Sequence, residues 1–158
     1  MNDAAQWHSR LIAYEEASGV AALHRFCFPE DAWSTEDFAR ILLMTGTYGW
    51  LAFDAAGFDG PPQAFLFASL IGQAGEIITI GVTPAARRRG AARALMEELF
   101  RRARANGVMA VTLEVAKDND AAIQLYRTLG FEQIGVRARY YRRKDGSLAD
   151  AHLLRCIL

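Results

Sequence analysis

Three consecutive arginines run into a glycine at residues 87–90, and two alanines and a helical pattern follow, in the segment PAARRRGAARALMEEL. The segment lies between a strand pattern and a helix pattern, so it includes the unpaired backbone N–H groups of a helix N-terminus. Those groups and the helix dipole bind anions, while the glycine and the alanines leave room for one. A pyrophosphate fits this description. The spacing is neither G-x-G-x-x-G nor a P-loop, which disfavours a dinucleotide or a nucleoside triphosphate. Solvated charge at the start of a surface helix is the competing interpretation.

Polar side chains occupy defined positions in the next strand and helix patterns. Glu114 alternates with apolar neighbours, so it points to the face of the strand opposite to theirs. Asn119, Ala122 and Tyr126 are spaced by three and four residues, which puts them on one face of a helix, where they could line a wall. The competing interpretations are a solvent-facing glutamate and a half-buried core tyrosine.

Alternating helix and strand patterns surround these residues. The first half predicts a short strand RLIAYEE, a helix SGVAALHRFCF that ends at Pro29, and a helix STEDFARILLM that ends at Gly46. Ser34 caps the second helix, and Asp37 supplies an acidic first turn. Three strands follow, YGWLAFD, QAFLFASLIG and EIITIGV, and the loop AAGFDGPP joins the first two. Gly81 inside the third strand predicts a bulge or a close backbone approach.

The second half continues the alternation. A helix begins near Ala92 and stops at Gly107, the strand VMAVTLEV follows, and DNDAAIQLYRTLG forms a capped helix that ends at Gly130. FEQIGVRARYYRR and LADAHLLRCIL form a final hairpin across KDGS. The predicted order is β-α-α-β-β-β-α-β-α-β-β, an α/β fold (α+β mixed sheet) with helices packed on its faces. Without a repeat or linker, residues 1–158 are expected to form one domain.

Composition limits the classes of protein to which the chain can belong. Its 158 residues, 52% of them apolar, suffice for one compact domain with a buried core. A net charge of zero argues against a general nucleic-acid binder, but the two halves differ. Residues 1–80 hold three arginines against ten acidic residues, and residues 81–158 hold fifteen basic residues against eight acidic ones. The first half therefore favours cations and the second half favours anions.

Cysteine, histidine and hydropathy patterns exclude several other classes. Cys27 and Cys156 are far apart and form no C-x-x-C pair, so neither a disulfide framework nor a thiolate zinc site is predicted. His8, His24 and His152 lack metal-ligand spacing, and the chain has no G-x-S-x-G or H-E-x-x-H motif. The start lacks a leader pattern, and no segment reaches the roughly 18 apolar residues of a membrane span. We therefore expect a cytoplasmic protein with no metal site and no membrane contact.

Two blocks of the sequence resemble a known family. Arg87-x-x-Gly90-x-Ala92 resembles the Q/R-x-x-G-x-G/A signature of the GCN5-related N-acetyltransferases, the GNAT superfamily, which bind the pyrophosphate of acetyl-coenzyme A (acetyl-CoA) at this turn. The turn follows the strand ITIGV, and about thirty residues later LEVAKDNDAAIQLYRTLGF resembles the second block of the family. The resemblance is strong over residues 76–158 and weak before them. FPEDAWSTEDF is similar to the F-P-W-S segment of the branch that acetylates the N-termini of ribosomal proteins, with two or three extra residues between Pro and Trp.

The resemblance implies a splayed central sheet and a role for each matching residue. Glu114 matches the general base that takes a proton from the amine, directly or through water. Tyr126 matches the general acid that protonates the sulfur of coenzyme A. The residues placed at acetyl-CoA are Ile80, Gly81, Val82, Arg87, Arg88, Arg89, Gly90, Ala91, Ala92, Arg93 and Asn119. By the branch resemblance, Tyr140 and Tyr141 lie near the peptide substrate, and Trp33 and Tyr140 are the candidate contacts for the acceptor.

The resemblance and the ordinary acidity of amines together suggest an acceptor. An α-amino group, with a pKa of about 7.7 to 8.0, loses its proton more easily than a lysine at about 10.4. N-terminal amines are therefore the easier substrates at neutral pH, and the branch resemblance favours a protein N-terminal amine of the ribosomal-protein-alanine type. The acidic first half leaves a small cationic amine, such as a polyamine, as an alternative acceptor.

Two interpretations from other classes are also open. One is a catalytically silent coenzyme A sensor that regulates a partner, which the presence of both Glu114 and Tyr126 disfavours. The other is a nucleic-acid binder that uses the arginines at 87–89 and the cluster RARYYRRK at 137–144. For that cluster, a hairpin edge with a solvated face is the preferred interpretation. The sequence leaves both a monomer and a homodimer open.

Overall fold

Strands and helices alternate in the computed structural model of the chain, which describes residues 6–57 and 59–158. The strands in these residues are β1 (Trp7–Leu11), β2 (Thr47–Asp54), β3 (Ala64–Ile71), β4 (Ala74–Val82), β5 (Ala110–Ala116), β6 (Glu132–Arg142) and β7 (Leu148–Ile157). The α-helices are α1 (Ala17–Cys27), α2 (Thr35–Leu43), α3 (Ala91–Ala105) and α4 (Asp120–Thr128). This order and the mixed α/β class confirm the prediction from the sequence.

The seven strands form one sheet in the order β1-β2-β3-β4-β5-β7-β6. Neighbouring strands are antiparallel except β4 and β5, which run parallel. This parallel pairing is short, because it joins residues 74–76 to residues 110–112 and then ends. β4 continues to Val82 and β5 to Ala116, so a wedge opens between them. This wedge, called the central cleft below, is the predicted splay of the sheet.

Helices cover both faces of the sheet and bury a core on each. On one face, α3 inserts the fully buried Leu95 and Leu99 among strand residues such as Leu66. On the other face, α1 and α2 enclose a cluster that includes Phe38 and Phe67. Leu66 and Phe67 are neighbours on β3 and serve opposite cores, because side chains alternate along a strand. The middle of the sheet, at β3, is therefore buried on both sides.

The predicted cap of α2 is confirmed. Ser34 Oγ accepts a hydrogen bond from the Asp37 N–H (3.1 Å), and the Asp37 carboxylate accepts one from the Ser34 N–H (2.9 Å). The helix ends at Leu43, earlier than predicted, and Gly46 (φ +79°) belongs to the turn into β2. These reciprocal bonds satisfy two amides that the first turn of a helix leaves free.

The start of the chain differs from the predicted strand over RLIAYEE. The strand lies earlier, at Trp7–Leu11, and Tyr14–Glu16 forms a single turn of 3-10 helix. Glu16 accounts for the turn, because its carboxylate accepts a hydrogen bond from the Ala13 N–H (2.8 Å) and pairs with Arg10 (2.7 Å). A local side-chain bond thus replaces the strand ladder.

The predicted irregularity of β4 lies at Ile78 rather than at Gly81. The register between β3 and β4 shifts at this point, and Ile78 is the extra residue. Gly81 instead makes room for a ring, since a Cβ at that position would lie 2.6 Å from Cε1 and Cζ of Phe65. The close approach is therefore by a side chain and not by a backbone.

Two further predictions concern the loop before β3 and the membrane. Part of the loop AAGFDGPP is a 3-10 turn at Ala55–Gly57, and Phe58, which the sequence assigns to the same loop, lies outside the described residues. Within residues 6–57 and 59–158, no helix combines the length and the apolar character that crossing a bilayer requires.

Candidate active site at the central cleft

The arginine-rich segment forms a loop between β4 and α3, called the 87–93 loop below. A 3-10 turn at Pro84–Ala86 leads into the loop, and Gly90 caps α3 in a left-handed conformation with φ +89°. Arg88 is also left-handed (φ +61°), which is uncommon for a residue with a Cβ. The first bond of the helix runs from the Ala94 N–H to the Gly90 carbonyl (3.0 Å), so the amides of residues 91–93 have no acceptor within the helix. Such free amides at a helix N-terminus suit an anion.

The arginine side chains of the loop have different partners. Arg87 Nε donates to the last carbonyl of β4 (3.3 Å), and Arg93 donates to Thr128 Oγ1 on α4 (2.8 Å). Arg89 forms an ion pair with the carboxylate at the end of β2 (2.6 Å). The Arg88 side chain is exposed and forms no hydrogen bond or ion pair with any residue that the structure describes. Arg88 is thus the arginine of the loop whose side chain is free for a ligand.

Residues 80–82 border the cleft just before the loop. One edge of β4 pairs with β3 here, through Leu66 with Ile80, Phe65 with Gly81, and Ala64 with Val82. The other edge faces the cleft, because the pairing with β5 has already ended. Backbone groups on such an edge can bond an extended molecule that carries amides, as a strand would.

Glu114 lies on β5 across the cleft. Its neighbours Leu113 and Val115 are buried, and Glu114 points to the opposite face, which confirms the predicted alternation. The Glu114 side chain is 19% exposed, and Oε1 lies 3.1 Å from Nη2 of Arg137 on β6. The carboxylate therefore has a cationic neighbour and retains access to the cleft.

Tyr141 contacts Glu114, and Tyr126 is buried in the core, where its ring packs against Phe131 (centroids 5.7 Å apart). Burial, with a contribution from Tyr141, raises the pKa of Tyr126 to about 12, so this phenol holds its proton at neutral pH. The Tyr141 hydroxyl donates to the Glu114 carbonyl (3.3 Å), and burial together with the Glu114 charge raises the pKa of Tyr141. The structure thus places one protonated phenol, Tyr141, against Glu114, and a second, Tyr126, within electrostatic reach of Tyr141.

A pocket of about 1040 Å³ adjoins Glu114. Its walls come from the loop between α1 and α2, from α2 and β4, and from the β6–β7 hairpin. Trp33 and Tyr140, both predicted as acceptor contacts, line this pocket together with Glu114 and Tyr141. The pocket provides space for a second reactant beside the carboxylate.

Trp33 is held in the pocket wall by a buried histidine. His24 is 2% exposed, and its Nδ1 accepts a hydrogen bond from the Trp33 N–H (3.3 Å). The two rings stack with their centroids 5.0 Å apart. Burial lowers the pKa of His24, which keeps the imidazole neutral and able to accept this bond. His24 therefore has a structural role, which is consistent with the interpretation of the histidines in the sequence analysis.

Tyr140 and Tyr141 both line the pocket, although neighbours in a regular strand point to opposite faces. A bulge in β6 explains this arrangement, since the pairing with β7 shifts between Arg137 and Tyr141. Within the bulge, Arg139 is left-handed (φ +54°), and its N–H donates to Asp150 Oδ1 on β7 (3.0 Å). The branch resemblance placed both tyrosines near a peptide substrate, whereas sequence reasoning missed Arg137 as the partner of Glu114. The interleaved aromatic and basic residues of RARYYRR are the available signal for it.

The basic cluster of the last hairpin forms ion pairs with loops around the pocket. Arg143 pairs with Asp118 (2.6 Å), and Lys144 pairs with Glu30 (3.0 Å). These contacts fit the interpretation of the cluster as the solvated edge of a hairpin.

Asn119 lies at the far end of β5, where it caps α4. Its Oδ1 accepts a hydrogen bond from the Ala122 N–H (3.2 Å), which leaves the side-chain NH₂ for a ligand.

Both cysteines are buried and free. Among the residues that the structure describes, no three His, Cys, Asp or Glu side chains are grouped so that they could hold a metal ion.

Comparison with known proteins decides the family. The acetyltransferase (GNAT) family matches residues 17–131. The chain belongs to the GNAT family. N-alpha-acetyltransferase RimI of Mycobacterium tuberculosis is 51% identical over 80 residues, which are 51% of this chain and 47% of that protein. [Ribosomal protein bS18]-alanine N-acetyltransferase of Escherichia coli is 36% identical over 88 residues, 56% of this chain and 60% of that protein. This chain thus matches only about half of the length of these curated relatives.

Solved GNAT structures superpose on nearly the whole chain. The ribosomal-protein-S18-alanine N-acetyltransferase from Escherichia coli has a TM-score of 0.85 and 25% identity, and the superposition covers 96% of this chain and 93% of that one. Arabidopsis thaliana NAA60 in complex with acetyl-CoA has a TM-score of 0.82 and 23% identity over 96% of this chain and 98% of its own, a likeness in fold. The splayed sheet is thus a GNAT fold.

Proposed function

We propose that this GNAT chain is an N-acetyltransferase that moves the acetyl group of acetyl-CoA to a protein N-terminal α-amine. One observation carries the proposal: the free edge of β4 runs from the pocket beside Glu114, at Ile78, to the 87–93 loop. An anion-binding turn, an unpaired strand edge and a carboxylate therefore follow one another along a single cleft. Acetyl-CoA carries a pyrophosphate, an amide-containing arm and a thioester in the same order.

The residues of the cleft divide the work of binding. The amides of residues 91–93 and the Arg88 side chain hold the pyrophosphate, and Arg87 and Arg93 add positive charge nearby. The backbone of residues 80–82 bonds the pantetheine arm, and Asn119 supplies a further contact from α4. Holding the thioester and the amine together removes a bimolecular entropy cost of up to about 7 to 11 kcal/mol.

Proton transfers then fall to Glu114 and Tyr126. The amine nitrogen attacks the thioester carbonyl carbon, and Glu114 takes the proton that the nitrogen loses, directly or through water. The carbon–sulfur bond breaks, and Tyr126 is the proton donor that we assign to the departing sulfur. Trp33, Tyr140 and Tyr141 surround the acceptor in the pocket. Acetyl-CoA serves as substrate, and no step requires a metal ion.

The N-terminal α-amine is supported by the names of the relatives and by acidity. The M. tuberculosis relative is named an N-alpha-acetyltransferase, and the E. coli relative is named for an alanine of ribosomal protein bS18. An α-amine near pKa 7.7 to 8.0 needs little help to lose its proton at neutral pH.

Three further statements remain predictions from the sequence. They are the cytoplasmic location, the lack of nucleic-acid and membrane partners, and a state that is either monomer or homodimer.

A small cationic amine is the second candidate acceptor. Asp31 and Glu76 line the pocket, and neither forms an ion pair within residues 6–57 and 59–158. Free carboxylates in a pocket wall attract a polycationic amine as well as a basic peptide.

The proposal is tested by mass spectrometry of reactions with acetyl-CoA and a panel of acceptors: alanine- and serine-led peptides, lysine peptides and polyamines. We expect α-amine acetylation, and we expect Glu114→Gln to lower kcat by roughly 10²- to 10⁴-fold, as for loss of a general base. Acetyl-CoA affinity should remain unchanged. Glu98→Gln is the matched control, because Glu98 also pairs with an arginine (2.6 Å) but lies on α3 outside the cleft.

Each other outcome points to a different function. Acetylation of polyamines alone would replace the acceptor and keep the mechanism. Binding of acetyl-CoA without turnover on any acceptor would favour a coenzyme A sensor, and equal turnover by Glu114→Gln and the wild type would remove Glu114 from the mechanism.

A further inference from the structure

The 87–93 loop is tied to the first two strands through Arg89. The indole N–H of Trp7 donates to the Arg89 carbonyl (2.6 Å), and the Arg89 guanidinium pairs with Asp54 Oδ2 (2.6 Å). The guanidinium also lies over the Trp7 ring, 5.5 Å from its centroid. One residue of the loop is therefore held through its main chain and its side chain together.

Trp7 and Asp54 act from adjacent positions. They are register partners at the end of the β1–β2 ladder, so their side chains leave the sheet side by side. Asp54 is oriented by a hydrogen bond from the Ala56 N–H (3.0 Å), and this bond and Arg89 hold the pKa of the Asp54 carboxyl below its ordinary range. Trp7 is 8% exposed and packs in the core below α3. The two partners of Arg89 are thus themselves fixed.

Arg89 lies between two left-handed residues, Arg88 (φ +61°) and Gly90 (φ +89°). Arg88 has a Cβ, and for such a residue the left-handed conformation costs free energy that surrounding contacts must offset. The contacts to Arg89 are placed where they supply this support, since the Trp7 bond fixes the peptide unit between Arg89 and Gly90 and the Asp54 ion pair fixes the Arg89 side chain. A loop that is fixed in this shape holds its amides ready for an anion before the anion arrives.

We propose that Trp7, Asp54 and Arg89 form an anchor that preorganises the 87–93 loop, with Arg89 acting as a positioning residue rather than as a phosphate contact. The inference rests on the proposed function, because acetyl-CoA is the molecule whose pyrophosphate the loop would hold. The anchor revises the role that the family resemblance implies for Arg89 and adds Trp7 and Asp54, which the sequence analysis did not single out.

The test compares two thioesters by calorimetry. Acetyl-CoA reaches the loop, whereas acetyl-pantetheine lacks the pyrophosphate and occupies the strand edge alone. Asp54→Asn removes the charge with little change in shape and is the sharper variant. Trp7→Phe removes the indole N–H together with part of a buried ring, so its stability is measured beside its affinity. We expect each variant to bind acetyl-CoA roughly 3- to 10-fold more weakly, as for the loss of one hydrogen bond, and to bind acetyl-pantetheine as the wild type does. Arg101→Gln, which breaks an ion pair of the same length (2.6 Å) elsewhere on α3, should change neither affinity.

A second readout needs no ligand. The loop carries three consecutive arginines, so trypsin cleaves it whenever it departs from its fixed shape. In the free protein, Trp7→Phe and Asp54→Asn should be cleaved at residues 87–89 faster than the wild type and the Arg101→Gln control. Unchanged cleavage together with unchanged acetyl-CoA affinity would overturn the anchor, as would an equal loss of affinity for both thioesters. A wild-type protein that binds neither thioester would instead overturn the proposed function, while the trypsin comparison would still decide the anchor.

Discussion

Tyr126 is 6% exposed, and this burial raises its pKa to about 12. An alkyl thiol has an ordinary pKa of about 8.5, so complete proton transfer from this phenol to a thiolate is uphill. In the proposed reaction, Tyr126 therefore stabilises the leaving sulfur through the hydrogen bond that it donates while charge develops, and full transfer follows only as the phenol is reprotonated. Burial thus keeps the phenol of Tyr126 protonated at neutral pH and at the same time makes it a weaker acid.

The same shift makes the stability of the fold depend on alkaline pH. An unfolded tyrosine loses its proton near pH 10, whereas folded Tyr126 keeps it to about 12. Between these values the folded state binds more protons, so the free energy of unfolding falls as the pH rises. Urea unfolding at pH 8 and pH 11 should show that Tyr126→Phe avoids about 1 kcal/mol of this loss. Tyr14→Phe, at a half-exposed ring, is the control, and equal losses in the Tyr126 variant and the wild type would contradict the prediction.

Individual residues differ in how far the sequence predicts them. The orientation of Glu114 follows from strand alternation, and the cap at Ser34 follows from its spacing to Asp37, because both depend on near neighbours. Arg89 was assigned to acetyl-CoA by the motif, yet its side chain bonds Asp54, 35 residues away in the chain. No local pattern contains a contact of that separation.

The bulge of β6 is the element-scale feature that shapes the acceptor pocket. Asp150 stabilises it by accepting the Arg139 N–H (3.0 Å), and Arg139 needs this support because it is left-handed. Asp150→Ala should let the strand relax toward regular alternation and turn one of the two tyrosines away from the pocket. We expect kcat/KM for a peptide acceptor to fall roughly tenfold, with acetyl-CoA affinity unchanged.

The control for this prediction lies in the same hairpin. Asp145 Oδ1 also accepts a main-chain N–H, from Ser147 (2.8 Å), but in the turn beyond the pocket. Asp145→Ala should therefore leave kcat/KM near the wild-type value. If both variants lost acceptor turnover equally, general loosening of the hairpin would explain the result and the specific role of the bulge would fall.

Bulges set the limit of prediction at this scale. Period-two alternation puts only one of Tyr140 and Tyr141 on the pocket face, so the pattern predicts one contact where the structure has two. In β4, Gly81 predicted an irregularity, but the extra residue is Ile78, and Gly81 makes room for Phe65 of the neighbouring strand β3. Both features depend on how two strands pair, and the sequence pattern of one strand does not show how its partner is aligned with it.

The charge asymmetry of the chain is expressed on the acetyl-CoA side of the whole molecule. The basic second half contributes the 87–93 loop, whereas the acceptor pocket has charges of both signs, Glu30, Asp31 and Glu76 from the first half and Arg142, Arg143 and Lys144 from the second. Raising the salt concentration from about 50 mM to about 500 mM should weaken acetyl-CoA binding roughly 3- to 10-fold through screening. Acetyl-pantetheine, which lacks the phosphates, should bind equally at both concentrations, and parallel weakening of both thioesters in titrations would count against the charge effect.

The architecture as a whole was predicted from two kinds of signal. Hydrophobic periodicity predicts the order of strands and helices, because each element needs a buried face. Periodicity does not predict where β4 and β5 separate, since both strands keep a regular pattern through the point at which their pairing ends. The splay came from the family resemblance, and the structure supplies its geometry.

The separation of β4 from β5 also bears on solubility. A sheet edge with free N–H and C=O groups invites strands of other molecules and so promotes aggregation. Here the free main-chain groups beyond residues 76 and 112 face each other across a narrowing gap in the middle of the sheet. A foreign strand would have to enter between two strands that converge on the same point. Unlike the outer edges at β1 and β6, the cleft thus keeps unpaired backbone accessible to a slender molecule without itself offering an edge along which another copy of the protein could pair.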